Sequence, residues 1–291
     1  MMSLIDPREK EARRNAKYQG SPTALIATIL FGVASLATTA VIGFGIGGFV
    51  DQFRVMSINS VFSTWDTAIP IWLRSWSLPI GIVATIIMVG AYGTWNHRYS
   101  GRTDGFALLG PLPIVLAGLT LGSWYATTLW TAPDAVGIAI DPTFGQNENW
   151  DAGAWIMYAA QWWLPGIFAL LTVLTLLGRL GAQKRRRLNN ELATHLLQSG
   201  AMVEAEVTDA PLREPNSSRM MAEVTLRFED TDGTSRWVKS IVVVPTKQFP
   251  TTGSRRPLLF DPADAGNVQR ILFSPTGGTK PGDFVSVSAA D

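Results

Sequence analysis

The sequence predicts a membrane α-helical domain of four transmembrane helices, with both termini inside, followed by a C-terminal all-β small barrel of OB-like or SH3-like size. Three observations carry that reading. Residues 20–178 hold only four of the 24 Lys/Arg and seven of the 23 Asp/Glu, so charge is concentrated in the rest of the chain. Four long apolar runs free of charge lie inside that poor region. After Gly200 the hydrophobic period changes from that of a helix to that of a strand.

The apolar runs cover residues 24–50, 75–95, 106–130 and 154–178. At about 1.5 Å rise per residue, roughly 20 residues cross the hydrocarbon core, and lipid leaves the backbone no partner but itself, so each run should be helical. The first run begins after residue 20 and is far longer than a signal-peptide core, which makes it a retained span. Domain limits follow: a basic segment at 1–22, the spans within 23–179, an amphipathic linker helix at 180–200, a β-domain at 201–273 and a disordered tail at 274–291.

Basic residues set the direction. Arg8, Lys10, Arg13, Arg14 and Lys17 precede the first span, and His97, Arg98 and Arg102 occupy the second connection. Arg179 and the run Lys184, Arg185, Arg186 and Arg187 follow the fourth. The third connection, 131–153, has no Lys or Arg but carries Asp134, Asp141, Glu148 and Asp151, while the first, 51–74, is mixed, with Asp51, Arg54, Asp66 and Arg74. An even number of spans with both ends basic places both termini in the cytoplasm, in a cell (inner, cytoplasmic) membrane. Ten of the eleven tryptophans lie in the membrane part. Trp72, Trp76, Trp124, Trp130, Trp150 and Trp155 mark the outer interface and Trp95 the inner one. Trp65 and Trp72, with Phe62, Ile69 and Ile71, place the first loop on the outer membrane surface.

In the cytosolic third, Leu188, Leu192, Leu196 and Leu197 recur at helical spacing and Gly200 is a stop. The basic run beside them reads as a stop-transfer anchor for anionic lipid. Strands are expected at residues 202–207, 221–228, 237–244, 257–260 and 268–273, with Asp230-Thr231-Asp232-Gly233 as a hairpin turn, because Asp-Gly accepts positive φ. Five short strands make a small antiparallel barrel. Gly277, Gly278, Pro281 and Gly282 mark the tail as disordered.

Gly200 with Glu204-Ala-Glu-Val207, then Val224-x-Leu-x-Phe-Glu-Asp-x-Asp-Gly233, then Leu258-Leu-Phe-Asp-Pro-Ala-Asp264 resemble a small β-domain family of unknown function found beside transmembrane helices in bacterial membrane proteins. The resemblance covers about 75 residues and none of the spans, and it implies a fold rather than a chemistry. The stretch lacks the glycine-dense strands of the membrane-anchored OB-domain partners of stomatin-like proteins, a second group that it resembles less.

Candidate sites are few. With no cysteine and only His97 and His195, thiol chemistry, zinc ribbons and multi-histidine sites have nothing to build on. A net charge of +1 gives no pull toward nucleic acid. Gly43-Phe-Gly-Ile-Gly47-Gly48 formally matches G-x-G-x-x-G, but it ends an apolar span, so Gly43 and Gly47, like Gly118 and Gly122 in the third span, read as helix-packing glycines. Asn147-x-Asn149-x-Asp151 opens like a calcium loop, yet its glycine falls late at Gly153 and Tyr158 stands where Glu is needed, so an acidic solvated loop is preferred to a metal site. In the fourth span Gln161, Trp162 and Trp163 precede Pro165, which should kink the helix near mid-bilayer; a packing kink is preferred to a pocket for a lipid or quinone-like ligand. His195 reads as packing and His97 as an anchor. Asn216-Ser217-Ser218 is a glycosylation sequon by pattern, placed in the cytosol by the topology.

Three functions are weighed. An accessory or scaffold subunit would present the β-domain to another membrane or cytosolic protein, or to a copy of itself, with membrane lipid around the helices. A transporter would need ionisable groups inside the bilayer, which these spans lack, although a passive path for lipid or small solutes stays open. A membrane enzyme would have only the outward acidic loop to use, without a nucleophile or basic partner in it. The scaffold reading is preferred, with no enzyme activity and no cofactor expected.

Overall fold

The structure, a computed structural model, describes residues 17–101, 106–213, 217 and 219–289. The chain divides into two compact units, residues 1–178 and 179–291, and each is described by itself.

In the first unit, helix α1 (Pro22–Ile58) begins at Ser21, whose hydroxyl accepts from the Ala24 N–H, with Pro22 in the first turn, where its missing N–H costs nothing. Helix α2 (Ile71–Ser100) ends at Gly101, which adopts φ 66° and donates its N–H to His97 O. Helix α3 (Pro111–Thr128) has 18 residues, about 27 Å of rise. A turn at Ala159 separates the short helix α4 (Ala152–Tyr158) from the long helix α5 (Ala160–Ser199). Three of these helices, α1, α2 and α5, are long and apolar enough to cross a membrane. The run at 106–130 winds into the shorter α3 because Pro111 and Pro113 start the helix late, leaving Phe106 to Gly110 outside it.

Helix α1 is the axis of this unit: α2 and α3 pack along it on two sides and hardly meet each other. Its glycines serve both neighbours. A Cβ on Gly43 or Gly47 would collide with Leu119 or Ala126 of α3, and one on Gly45 or Gly48 would collide with Ser77 or Arg74 of α2. The partners reciprocate, since Gly118 and Gly122 lie against Thr39 and Ala40, and Gly81 lies against Ile42. With no hydrophobic drive between helices in lipid, this backbone approach supplies the dispersion contact that holds them.

Two expectations are corrected here. The first loop does not span 51–74: nothing after Val50 breaks the helix, so α1 runs on through Asp51 and Arg54 to Ile58 and the loop shrinks to 59–70. The fourth apolar run is not one continuous helix, and the amphipathic stretch 180–200, expected either to continue it or to follow it, continues it. The run's interruption falls at Ala159, and Pro165 sits inside α5. From Ala160 the helix is unbroken to Ser199, so 180–200 is its continuation. Between residues 166 and 178 no side chain of α5 is buried.

In the second unit, a seven-stranded antiparallel sheet curls into a nearly closed barrel. Strands β3 (Ala201–Asp209), β4 (Arg219–Glu229), β5 (Ser235–Pro245), β6 (Arg255–Phe260), β7 (Leu272–Phe273), β8 (Val285–Ser286) and β9 (Ser288–Ala289) are ordered β8-β7-β6-β3-β4-β5-β9; the remaining strands, β1 (Ile138–Ala139) and β2 (Glu148–Asn149), form a small hairpin in the first unit. β4 and β5 pair along their whole length around a turn in which Gly233 takes φ 76°. Ala205, Val207, Val224, Leu226, Phe228 and Val242 point inward. Gly200 ends α5 where a Cβ would stand 2.7 Å from both Leu196 O and Phe260 O. Of the leucine stripe, Leu192 and Leu196 pack with Leu259, Leu272 and Phe284, while Leu188 and Leu197 stay exposed.

The strand count, expected to be five or six, and the disordered tail are also corrected. Residues 285–289 form one bent stretch, whose first half pairs with β7 and whose second half pairs with β5. That stretch is ordered because Phe284 is buried and Val285 and Val287 pack on the core. The strand expected at 268–273 is reduced to Leu272–Phe273, since Asn267 caps a single 3-10 turn at Val268–Arg270.

A Cβ at Gly122 would press on the Ala40 carbonyl, with the carbonyl carbon 2.6 Å away, whereas one at Gly90 meets nothing within 4 Å. Gly122→Ala should therefore cost about 1–3 kcal/mol of stability in detergent, while Gly90→Ala should be neutral or gain up to about 1 kcal/mol. Equal melting shifts for the two variants would refute this packing.

Candidate functional site

Three of the four charges assigned from sequence to the first loop, Asp51, Arg54 and Arg74, prove to be buried in the helical unit, while Asp66 is exposed. Asp51 is 0% exposed and Arg54 3%. One turn apart on α1, they pair through Asp51 Oδ1, which accepts from Arg54 Nε at 2.9 Å and lies 2.7 Å from Nη2. Arg54 Nη2 also donates to Thr131 O at 2.6 Å, and its guanidinium lies 5.1 Å from the Trp130 ring centre, so it ties the end of α1 to the chain leaving α3. From the first turn of α2, Arg74 donates to Gln52 Oε1 at 2.8 Å and Thr67 Oγ1 at 3.0 Å, with the Phe49 ring 5.8 Å away.

These contacts form a clasp joining α1, α2, the first loop and the chain after α3. Two guanidiniums face one carboxylate, so the clasp carries an excess positive charge. Asp51 Oδ2, Arg74 Nε and Trp130 Nε1 have no hydrogen-bond partner among the described residues. Sequence reasoning missed this group because it ended the first helix at Val50. The available signal was the three-residue spacing of Asp51 and Arg54, a helical ion-pair spacing, in a stretch without Gly or Pro. Ionisable side chains are thus buried inside the helical unit, at the end of α1.

The acidic loop residues hold the loop itself. Asp151 Oδ1 accepts from Ala154 N at 2.8 Å and caps α4, Asn147 Oδ1 accepts from Asp141 N at 2.9 Å, and Asn149 is an exposed residue of β2. The structure does not turn them into a cation cage, and no group of three His, Cys, Asp or Glu among the described residues could hold a metal. Trp150, from the same loop, donates its indole N–H to Ile58 O at 2.8 Å and docks the hairpin on the end of α1.

Around Pro165, Trp162 is exposed, Gln161 is half-buried and Trp163 of α5 donates across the Ala159 turn to Ile156 O of α4 at 2.9 Å. Arg98 stacks on Trp95, its guanidinium 4.8 Å from the ring. Lys184, Arg185, Arg186 and Arg187 are exposed on α5, with Arg187 paired to Glu191 at 2.8 Å. Arg13, Arg14 and Arg102 lie outside the described residues, as does Asn216 of the sequon. His195 is exposed, its Nδ1 3.2 Å from Ser199 Oγ.

The barrel offers a different surface. Outward from the β4–β5 hairpin stand Met221 at 71% exposure, Ile241 at 60% and Val243 at 48%, with Met221 directly opposite Val243. Toward the hairpin turn the same face carries charge, with Lys239 3.5 Å from Glu223 and Arg227 paired to Glu206 at 2.8 Å, beside the exposed Trp237 opposite Arg227. The signal in sequence was the unbroken apolar run Ile241-Val-Val-Val244, where a half-buried strand should alternate.

At the turn, Asp230 accepts from the N–H groups of Thr234 and Asp232 and pairs with Arg236 at 2.9 Å. The Thr234 N–H foremost, then Arg236 and the Asp232 N–H, outweigh burial and hold its carboxyl below the ordinary value of 3.8. Arg270, with the Ala263 N–H, lowers Asp261 likewise.

No protein-family model, curated protein or solved structure matches this chain.

Two consequences are measurable. Arg54→Ala strands a buried carboxylate and should destabilise the helical unit by about 3–5 kcal/mol, with Asp51→Leu/Arg54→Leu losing less. Unfolding in detergent checks this, and an unaltered Arg54→Ala protein would rule out the clasp. Because the folded Asp230 pKa is lowered, its contribution is complete above pH 3.8 and drains as pH falls through the lowered value. Amide exchange over residues 201–289 should show Asp230→Asn weaker at neutral pH and with a shallower acid loss; superimposable acid profiles would contradict this.

Proposed function

We propose that this chain is a multi-pass scaffold of the cell membrane, in which four helical spans hold a β-domain at the inner face for binding to another protein. The observation that carries the reading is the outward apolar row of Met221, Ile241 and Val243 on a domain whose own core is already filled. A solvated face built only for folding would favour charge at those positions.

In this reading α3 is the third span, at about 27 Å close to the roughly 30 Å hydrocarbon core, and α5 is the fourth. The exposed Lys184–Arg187 run and the Arg98–Trp95 stack support an inner location for those ends, and the acidic stretch 131–153 supports an outer one. The barrel is taken as OB-like or SH3-like, of the β-domain family that residues 200–264 resemble.

Protease added to sealed, right-side-out cells should leave the chain beyond Gly200 uncut, and cross-linking followed by affinity purification from mild detergent should recover a complex. Digestion of that region, or a protein that is monomeric and partner-free throughout, would overturn the proposal.

A further inference from the structure

Strand β5 is paired with β4 from Ser235 to Pro245, but on its other side β9 covers only Val238 and Lys239. Past that point the closing stretch bends away to β7, leaving only the bond from Ser240 Oγ to Ser286 O at 3.2 Å. Among the described residues, no strand pairs with residues 241–245 on that side. Native sheets guard an open edge with lysine, proline or a bulge. Here Lys239, Pro245 and Lys247 stand at the ends, while Ile241-Val-Val-Val244 between them has neither charge nor proline. An open ladder calls for an extended strand rather than a helix or a lipid, because only a strand supplies matching N–H and C=O groups along its length.

We propose that the occupant is the same segment of a second copy, pairing antiparallel about a two-fold axis through Val242. This deepens the scaffold reading and rests on it. The register sets Ile241 opposite Val243 of the other copy and Val243 opposite its Ile241, so exposed β-branched residues meet in directly facing pairs. Lys239 is already paired with Ser288 of β9 and Lys247 lies in the 3-10 turn after β5, so the new ladder is confined to residues 241–243 and no lysine faces another across it. Met221, directly opposite Val243 within each hairpin, extends the apolar row on both sides of the new contact. Val242 and Val244 remain in their own barrel core. The two hairpins become one continuous four-stranded outer sheet.

The chain has no cysteine, so introduced thiols report without background. Full-length Ile241→Cys protein mixed with full-length Val243→Cys protein in detergent should form a mixed disulfide at least tenfold faster than Val243→Cys mixed with Thr252→Cys, a residue of a distant loop. The wild-type protein should run as a dimer. Ile241→Lys/Val243→Lys should run as a monomer with unchanged melting, since both side chains are already exposed in the single chain. Mixing it with Ile241→Glu/Val243→Glu should restore the dimer. A dimer that survives the lysine pair, or a disulfide no faster than the control, overturns the inference. So does a wild-type monomer: if it still holds a different protein released by the lysine pair, self-pairing fails while the scaffold reading stands, and if it holds none, both fail.

Discussion

The helical unit depends on the backbone of one helix approaching two others at once. In lipid, apolar side chains gain nothing by leaving the solvent, so association requires shape. The sequence Gly43-Phe-Gly45-Ile-Gly47-Gly48 meets that demand by giving Gly43 and Gly47 to α3 and Gly45 and Gly48 to α2. Two packing stripes share one helix, turned relative to each other. The hydroxyls of Thr28, Ser35 and Thr39 can then be buried between helices because each bonds back to a carbonyl of its own helix.

The clasp at the end of α1 extends the same economy of contact. Close packing fixes the sides of the helices, while Arg54 and Arg74 fix their ends, each reaching across to a different element. Buried charge is costly, and a hydrophobic substitute would pack as well. What the guanidiniums add is direction: Arg54 reaches the Thr131 carbonyl and Arg74 the Thr67 hydroxyl, contacts that select one arrangement of the loops.

Much of this was legible in the residues, because it follows from local rules. Apolar length located the helices, alternation located β3 to β5, Asp-Gly located the hairpin, and the paired glycines marked tight helix crossings. What escaped was decided by distant partners. Asp51 and Arg54 look like loop residues until Thr131 and Trp130 are brought beside them. Gly277, Gly278 and Pro281 look like a disordered tail, because nothing local reveals that Phe284 and Val287 find a core made by strands many residues earlier. Ile241 and Val243 look like core until the partner register shows them facing outward.

The barrel's last stretch has a temporal consequence. Ser288 reaches back to Lys239, 49 positions earlier, and so closes the sheet through a long-range contact, as the pairing of Ala201 with Phe260 also does. Loop-closure entropy makes such contacts late events in folding. Until residues 285–289 arrive, β5 and β7 both present bare ladders, and the hairpin carrying Ile241 and Val243 spends that interval open to any passing strand.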